Sequence, residues 1–317
     1  MFKFGIIGVG AVGELHKEAL MAHQECELTA ICDLNQGRAE ELAENTNANI
    51  YSDYKEMQEK ENLDAVIVNL PHYLHKDVSV YFLEHKVAVL IEKPMAISVE
   101  ECDAMITASQ KHSTPLAVGH CQRYHQAYRE LKKIIEEKRL GKLCSITETR
   151  NCNYFNNRPE WFLDRKLSGG GILINFGAHS LDKILYMTGL EIEKVTAIGS
   201  NFLTNHNVEA SAQLLMQLSE GVSATITHCG CHVPLCQNSA FYFTNGVAEL
   251  RRWDLWISEG GAPYVKVDCG STDINIMEGQ LIEFVKLLKG EENECATPEY
   301  GKTIISVLES AFEQISI

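Results

Sequence analysis

The chain has 317 residues, with 28 Lys and Arg against 43 Asp and Glu, for a formal net charge of −15. Apolar residues make up 45% and charged residues 22%, the make-up of an ordinary globular protein, and the length favours two domains over a single core. An acidic chain with no block of Lys and Arg does not hold a polyphosphate backbone by counter-ion release. Nucleic acid and anionic membrane surfaces are therefore poor partners.

The first residues, Met1-Phe2-Lys3-Phe4-Gly5-Ile6-Ile7, run straight into a strand-like segment, with no basic region, long apolar run or small-residue cleavage site of a secretory signal. No stretch reaches the ~18–20 uncharged apolar residues of a membrane span. The eleven Cys are odd in number and scattered singly in apolar surroundings, which suits reduced thiols in a cytoplasmic protein.

Short apolar runs at Phe4–Ile7, Leu28–Cys32, Ala65–Leu70, Val87–Ile91 and Leu116–Val118 predict buried parallel strands. Helical patterns lie between them at Glu14–Ala22, Gly37–Glu44, Leu74–Glu84 and Val99–Lys111. This alternation predicts an α/β, doubly wound Rossmann domain over residues 1–120. The rhythm then changes. An amphipathic helix is expected over His125–Lys138, then strands at Leu143–Asn151, Val195–Ser200, Ser211–Leu218, Val222–Cys229, Ala240–Phe243, Ala248–Leu250 and Tyr264–Val267. Further helices are expected at Ile174–Met187, Ile276–Leu288 and Lys302–Phe312. Residues 121–317 thus read as an α+β domain with a mainly antiparallel open sheet, its C-terminal helix free to pack back on the first domain. Ala212, Leu214 and Met216 against Leu215 make one strand apolar on both faces, so a homodimer or homotetramer through that sheet is expected.

Gly8-Val9-Gly10-Ala11-Val12-Gly13 follows the first strand and opens the first helix. Gly8 allows a tight turn, Gly10 leaves room for a pyrophosphate, and Gly13 lets helix and strand approach. Backbone N–H groups around Ala11 and Val12 would then face the phosphates. Asp33, twenty residues past Gly13, can accept from a ribose diol and would repel a 2′-phosphate. Leu34 and Asn35 follow it, with Arg38 the nearest basic residue, so NAD is expected over NADP.

Glu92-Lys93-Pro94 sits at the carboxyl end of the fifth strand, where Lys93 can reach a substrate oxygen. Asn175 and His179 are spaced i, i+4 on one helix face, with Asp182 at i+7 able to orient His179 or the helix. The glycines at 169–171 leave backbone free to approach a ligand or a neighbouring loop. With Asn69-Leu70-Pro71-His72-Tyr73-Leu74-His75 and Arg123-Tyr124, these motifs resemble the glucose–fructose oxidoreductase / inositol dehydrogenase / MocA (Gfo/Idh/MocA) family over essentially the whole chain.

The resemblance implies an oxidoreductase acting on a secondary alcohol of a sugar, inositol or related polyol, with Lys93 and His179 at the catalytic site. Many members of the family carry Asp where this chain has Asn175, whose amide orients but cannot act as a base. His179 or Lys93 is left to take the proton. Leu70, Pro71, His72, Glu92 and Lys93 are placed beside the cofactor, and so is His75, which also reads as a local hydrogen-bonding residue. Arg123, Tyr124, Asn153, Tyr154 and Trp161 are candidate substrate contacts, each equally readable as interdomain packing. A glycosidase that uses NAD transiently and a non-catalytic NAD-binding regulator are the competing readings. Cys229, Cys231, His232 and Cys236 have metal-ligand flavour but sit on a strand pattern without a second C-x-x-C pair, so no metal is expected.

Overall fold

A computed structural model describes residues 1–202, 206–270 and 275–316. They group into two units: Met1–Cys121 with Ile274–Thr303, and Gln122–Asp273 with Ile304–Ile317. The sequence places one boundary near residue 120. The chain also returns to the first unit in its last quarter.

The first unit holds β1 (Phe2–Ile7), α1 (Gly13–Ala22), β2 (Cys26–Cys32), α2 (Gln36–Ala43), β3 (Asn49–Tyr51), α3 (Tyr54–Lys60), β4 (Ala65–Val68), α4 (His75–Glu84), β5 (Ala88–Glu92), α5 (Val99–His112) and β6 (Leu116–Gly119). The strands are ordered β3-β2-β1-β4-β5-β6 and every pair is parallel. β4, β5 and β6 are buried throughout, as continuous apolar runs under helices on both faces must be. β3 and α3 have no counterpart among the expected elements. The strand is short and mostly exposed, and α3 buries only Met57, so neither leaves a periodic signal.

The strand order reverses between β1 and β4, and a ligand crevice opens at such a point, beyond the carboxyl ends of the strands. A later helix completes this unit's core. Met277, Leu281, Phe284 and Val285 pack with Phe4, Leu20 and Ile31, and the Phe4 and Phe284 rings meet edge to face at 6.2 Å.

The second unit holds α6 (Gln126–Glu136), β7 (Leu143–Asn151), α7 (Arg165–Ser168), α8 (Ala178–Thr188), β8 (Ile192–Ser200), β9 (Ser211–Leu218), β10 (Ser223–Cys229), β11 (Cys236–Phe243), β12 (Gly246–Arg251), β13 (Asp254–Glu259) and β14 (Val265–Lys266). The order is β14-β13-β12-β11-β7-β10-β9-β8, and only β7 with β10 is parallel. In β9 the alternation is strict: Ala212, Leu214 and Met216 are buried, while Leu215 is 58% exposed. Beyond β14 come α9 (Ile276–Lys289) and α10 (Pro298–Gln314), and the division between the units falls within α10.

Polar groups, not only apolar ones, join α8 to the sheet. Lys183 Nζ donates to both Glu148 oxygens at 2.9 Å and to Ser239 Oγ at 2.8 Å, and Ser180 Oγ lies 3.0 Å from Glu148 and from His228 Nε2. Burial holds the His228 imidazole down to about 3, and the Arg150 and Lys183 charges add to that. Among the described residues no helix is long and apolar enough to cross a membrane. All eleven cysteines are thiols, and no group of three or more metal-ligating side chains is present among the described residues.

Candidate active site

The glycine turn is built by the ends of β1 and β4. Gly8 N donates to Cys32 O and Asn69 N donates to Ile7 O, both at 2.8 Å. Gly8 has φ +88°, and a Cβ there would stand 2.7 Å from the Asn69 carbonyl oxygen, so only glycine fits. At Gly10 a Cβ would meet nothing closer than that same oxygen at 3.7 Å. The protein leaves this space open, as a bound pyrophosphate requires. The reason expected for Gly13 is corrected: a Cβ there would make ordinary contacts at 3.7–3.8 Å, so helix–strand approach does not demand glycine.

Ala11 and Val12 lead into α1, whose first turn has no side-chain cap, whereas Asn35, Asp53 and Ser98 cap α2, α3 and α5. Gly13 N bonds Gly10 O at 3.1 Å, and the N–H groups that follow it in this turn have no side-chain acceptor and can face an anion. Asp33 closes the turn from the side, taking Val9 N at 2.6 Å and Asn35 N at 2.7 Å. Leu34 and Arg38 are exposed. We expect Gly10→Val to leave the melting temperature of the chain within a few degrees while NAD affinity falls at least ~100-fold, read by calorimetric titration of NAD.

Two histidines fix the strand-end lysine. His75 lies fully buried with Nδ1 2.9 Å from Pro94 O and Nε2 2.8 Å from Leu70 O, tying the turn after β4 to the turn after β5. Burial pushes its pKa down against the pull of those carbonyls. His72 is buried beside it, ring to ring at 5.6 Å. Glu92 accepts from Lys93 N at 3.1 Å and meets His16 Nε2 at 3.0 Å. Burial raises this carboxyl, but the His16 bond and the nearby His16 and Lys93 charges outweigh that and hold it below the usual carboxylate range. Glu92 therefore serves to lock β5 to α1, and the half-buried Lys93 follows it directly at the strand end. His16 has no place among the residues singled out by sequence, because its partner lies 76 positions away.

In the second unit, Asn175 lies in a π-helical stretch, Leu173–Gly177, that runs directly into α8 with His179 in its first turn. Such wide turns occur preferentially at functional sites. The run of small residues before it serves backbone approach. A Cβ at Gly171 would stand 2.2 Å from Glu209 O, and one at Gly170 would stand 2.4 Å from the Phe312 ring. Of the two uses expected for these glycines, the close approach of a neighbouring loop is the one seen. Glu209 is fully buried and accepts from Gly171 N at 2.8 Å with each oxygen and from Leu173 N at 2.7 Å. A carboxylate thus sits at the positive end of the helix that carries Asn175 and His179. Burial raises its pKa against those N–H bonds. Nothing local in the sequence announces this contact, which spans a 38-residue separation.

Asn175 and His179 are both buried, and the Asn175 amide bonds Tyr154, whose hydroxyl donates to Gly171 O at 3.1 Å. Tyr154 itself has no exposed surface, while Asn153 beside it is exposed. Trp161 stacks on Phe162 with ring centres 3.7 Å apart. Arg123 forms a buried ion pair with Asp182 and lies over the Tyr186 ring, and Tyr124 is buried beneath Arg129. The structure therefore gathers Tyr154, Asn175 and His179 on one helix start. Arg123 and Tyr124 are engaged in holding α8 and α6.

The first unit has the arrangement of a Rossmann-type dinucleotide-binding domain. A family model described as an oxidoreductase family with an NAD-binding Rossmann fold matches residues 2–120, and one described as the GFO/IDH/MocA C-terminal domain matches residues 128–249. The chain belongs to the Gfo/Idh/MocA oxidoreductase family.

Among curated relatives, it is 30% identical over 200 residues to the 2,7-anhydro-N-acetylneuraminate hydratase of Mediterraneibacter gnavus, a match covering 62% of this chain and 52% of that protein. The chain thus spans about half the length of that relative. It is 25% identical to the rhizopine catabolism protein MocA of Rhizobium meliloti, over 99% of this chain and 95% of that one. The same fold is seen in the aldose-aldose oxidoreductase of Caulobacter crescentus complexed with glycerol, at 21% identity and TM-score 0.90, covering 99% and 97% of the two chains.

Proposed function

We propose that the protein transfers a hydride between NAD and the secondary alcohol or ketone carbon of a sugar, inositol or related polyol. The nicotinamide, when bound, supplies the hydride acceptor or donor. Lys93 and His179 do the proton work: one removes the hydroxyl proton as the C–H bond breaks, and the other hydrogen-bonds the oxygen and stabilises its developing charge. Asn175, bonded to Tyr154, orients the substrate without exchanging a proton. The observation that carries this reading is the open turn at Gly10 beside an uncapped helix, with Lys93 held at the end of a neighbouring strand of the same sheet.

The names of two relatives, a myo-inositol 2-dehydrogenase and a glucose-6-phosphate 3-dehydrogenase, support a cyclic polyol or sugar as substrate. Incubating the protein with NAD or NADP and a panel of polyols, sugars and aryl glycosides tests it. Reduced cofactor should accumulate with a polyol or sugar and with NAD in preference to NADP. Aglycone release without net NADH would instead identify a glycosidase using NAD transiently, and neither signal would leave an NAD-binding regulator.

The same reading includes a cytoplasmic setting, in keeping with eleven thiols, and a homodimer or homotetramer through the second-unit sheet. Its support is the outward row in which Leu215 pairs with Thr196 and Thr225, beside Ile198, which is 73% exposed. Leu215→Arg should convert the assembly to a smaller species in light-scattering chromatography, and an unchanged mass would rule this face out.

A further inference from the structure

Two guanidinium groups converge on one aromatic ring beside Asn175. Phe176 directly follows Asn175 and is half-exposed, on the helix that leads into His179. Arg150, on β7, places its guanidinium carbon 4.3 Å from the centre of the Phe176 ring. Arg158 approaches the same ring to 5.9 Å, and it also lies over Tyr154 at 4.3 Å and Phe162 at 5.0 Å. Three rings and a bond from Arg158 Nε to Tyr154 O at 2.8 Å hold this long side chain in place. Arg158 itself is half-buried.

Two cationic groups thus stand together in a chain whose net charge is −15, with the Glu209 carboxylate acting on the same Tyr154 side chain. The positive character reaches the surroundings. The Cys152 thiol, raised by burial, is pulled the other way by Arg158 and Arg150 together. Arg150 Nη2 donates to Gln237 Oε1 at 3.5 Å, and Glu148, two residues before Arg150 on the same strand face, accepts from Lys183, Ser180 and Ser239. A polyol alone gives no reason for such a site, because hydroxyl groups are served by neutral donors and acceptors. A guanidinium held flat by rings presents paired donors of the spacing that carboxylate and phosphate oxygens match.

We propose that Arg158 and Arg150 form a subsite for an anionic group of the substrate, so that the preferred substrate is a sugar or polyol carrying a carboxylate or a phosphate. This rests on the placing of the substrate beside Asn175 and His179. The acid end seats against Arg158 and Arg150 near Phe176, and the carbinol carbon lies toward His179.

The test is calorimetric titration of the NAD-loaded full chain with D-gluconate, inorganic phosphate and, as neutral control, D-glucitol, for wild type and Arg158→Met. Wild type should bind one of the two anions at least ~10-fold more tightly than glucitol, and Arg158→Met should lose ~10- to 100-fold of that affinity while its NAD affinity stays as in wild type. Preference for gluconate assigns the site to a carboxylate, and preference for phosphate assigns it to a phosphate ester. Equal binding of anions and glucitol, no anion binding, or an Arg158→Met variant as avid as wild type would overturn the proposal. Arg158→Lys, which keeps the charge without the fork, should recover part of the loss. Because these readouts require no turnover, a failed hydride-transfer assay would dismiss the dehydrogenase reading without deciding this one.

Discussion

Lys93→Ala and His179→Ala are each expected to lower kcat by ~10²- to 10⁴-fold on whichever polyol or sugar the panel identifies. The range is that of a positioned acid or base removed from a reaction that still has its cofactor and binding surface. The two losses should not multiply in the double variant, since proton removal and oxygen stabilisation act on the same atom in the same step. His179→Ala should leave NAD affinity unchanged, because the glycine turn and Asp33 belong to the other unit. Stopped-flow measurement of NADH formation with cofactor titrations alongside checks both parts. A turnover within ~3-fold of wild type in either variant would remove that residue from the proton path.

Lys183→Ala is expected to cost ~3–5 kcal/mol of stability, the loss that follows when one partner of a buried ion pair is removed. Lys183 and Glu148 are both essentially buried, and three groups already converge on the carboxylate. Without the ammonium, Glu148 keeps its charge only against a large desolvation cost, or it takes up a proton. Wild type has its own signature at high pH. Burial alone would lower the Lys183 pKa, but Glu148 beside it outweighs burial and the net shift is upward. A cationic group raised above its unfolded value stabilises fully below the ordinary lysine range, and that contribution is lost as pH rises through the folded value. Wild type should therefore lose stability above about pH 10.5, and Lys183→Ala should show a flatter alkaline limb. Chemical denaturation followed across that window measures it.

How much of this was legible in the sequence depends on how local each cause is. The parallel sheet was, because strands such as Val89-Leu90-Ile91 are apolar without a break, and so was the glycine turn, where spacing and strand context coincide. The three-residue β3 was not, since an exposed edge strand has no hydrophobic period. β13 escaped because Trp256, Ser258 and Asp254 break its apolar pattern into single buried positions at Leu255 and Ile257.

Lys93, Asn175 and His179, the residues of the proposed site, are singled out by residue type and position. The groups that hold them are not. His16 under Glu92 and Glu209 under Gly171 are defined by distant pairings that no window contains. Arg123 shows the opposite failure: a residue type suited to a substrate is spent on Asp182. The π-helical turn at Asn175 has no composition of its own.

The helix that bears His179 is clamped at three separate places: its start by Glu209, its inner face by Glu148, and its flank by Arg123. A substitution at any of these contacts therefore acts on the placing of His179 as well as on stability. On the proposed role of His179, a change that shifts this helix would disturb proton transfer whatever the substrate. Along 153–162, Tyr154 is tied to the same helix start and Arg158 to Tyr154, while Asn153 is exposed. On the proposed function, a library aimed at substrate preference should spare Tyr154 and vary exposed positions of that segment such as Asn153.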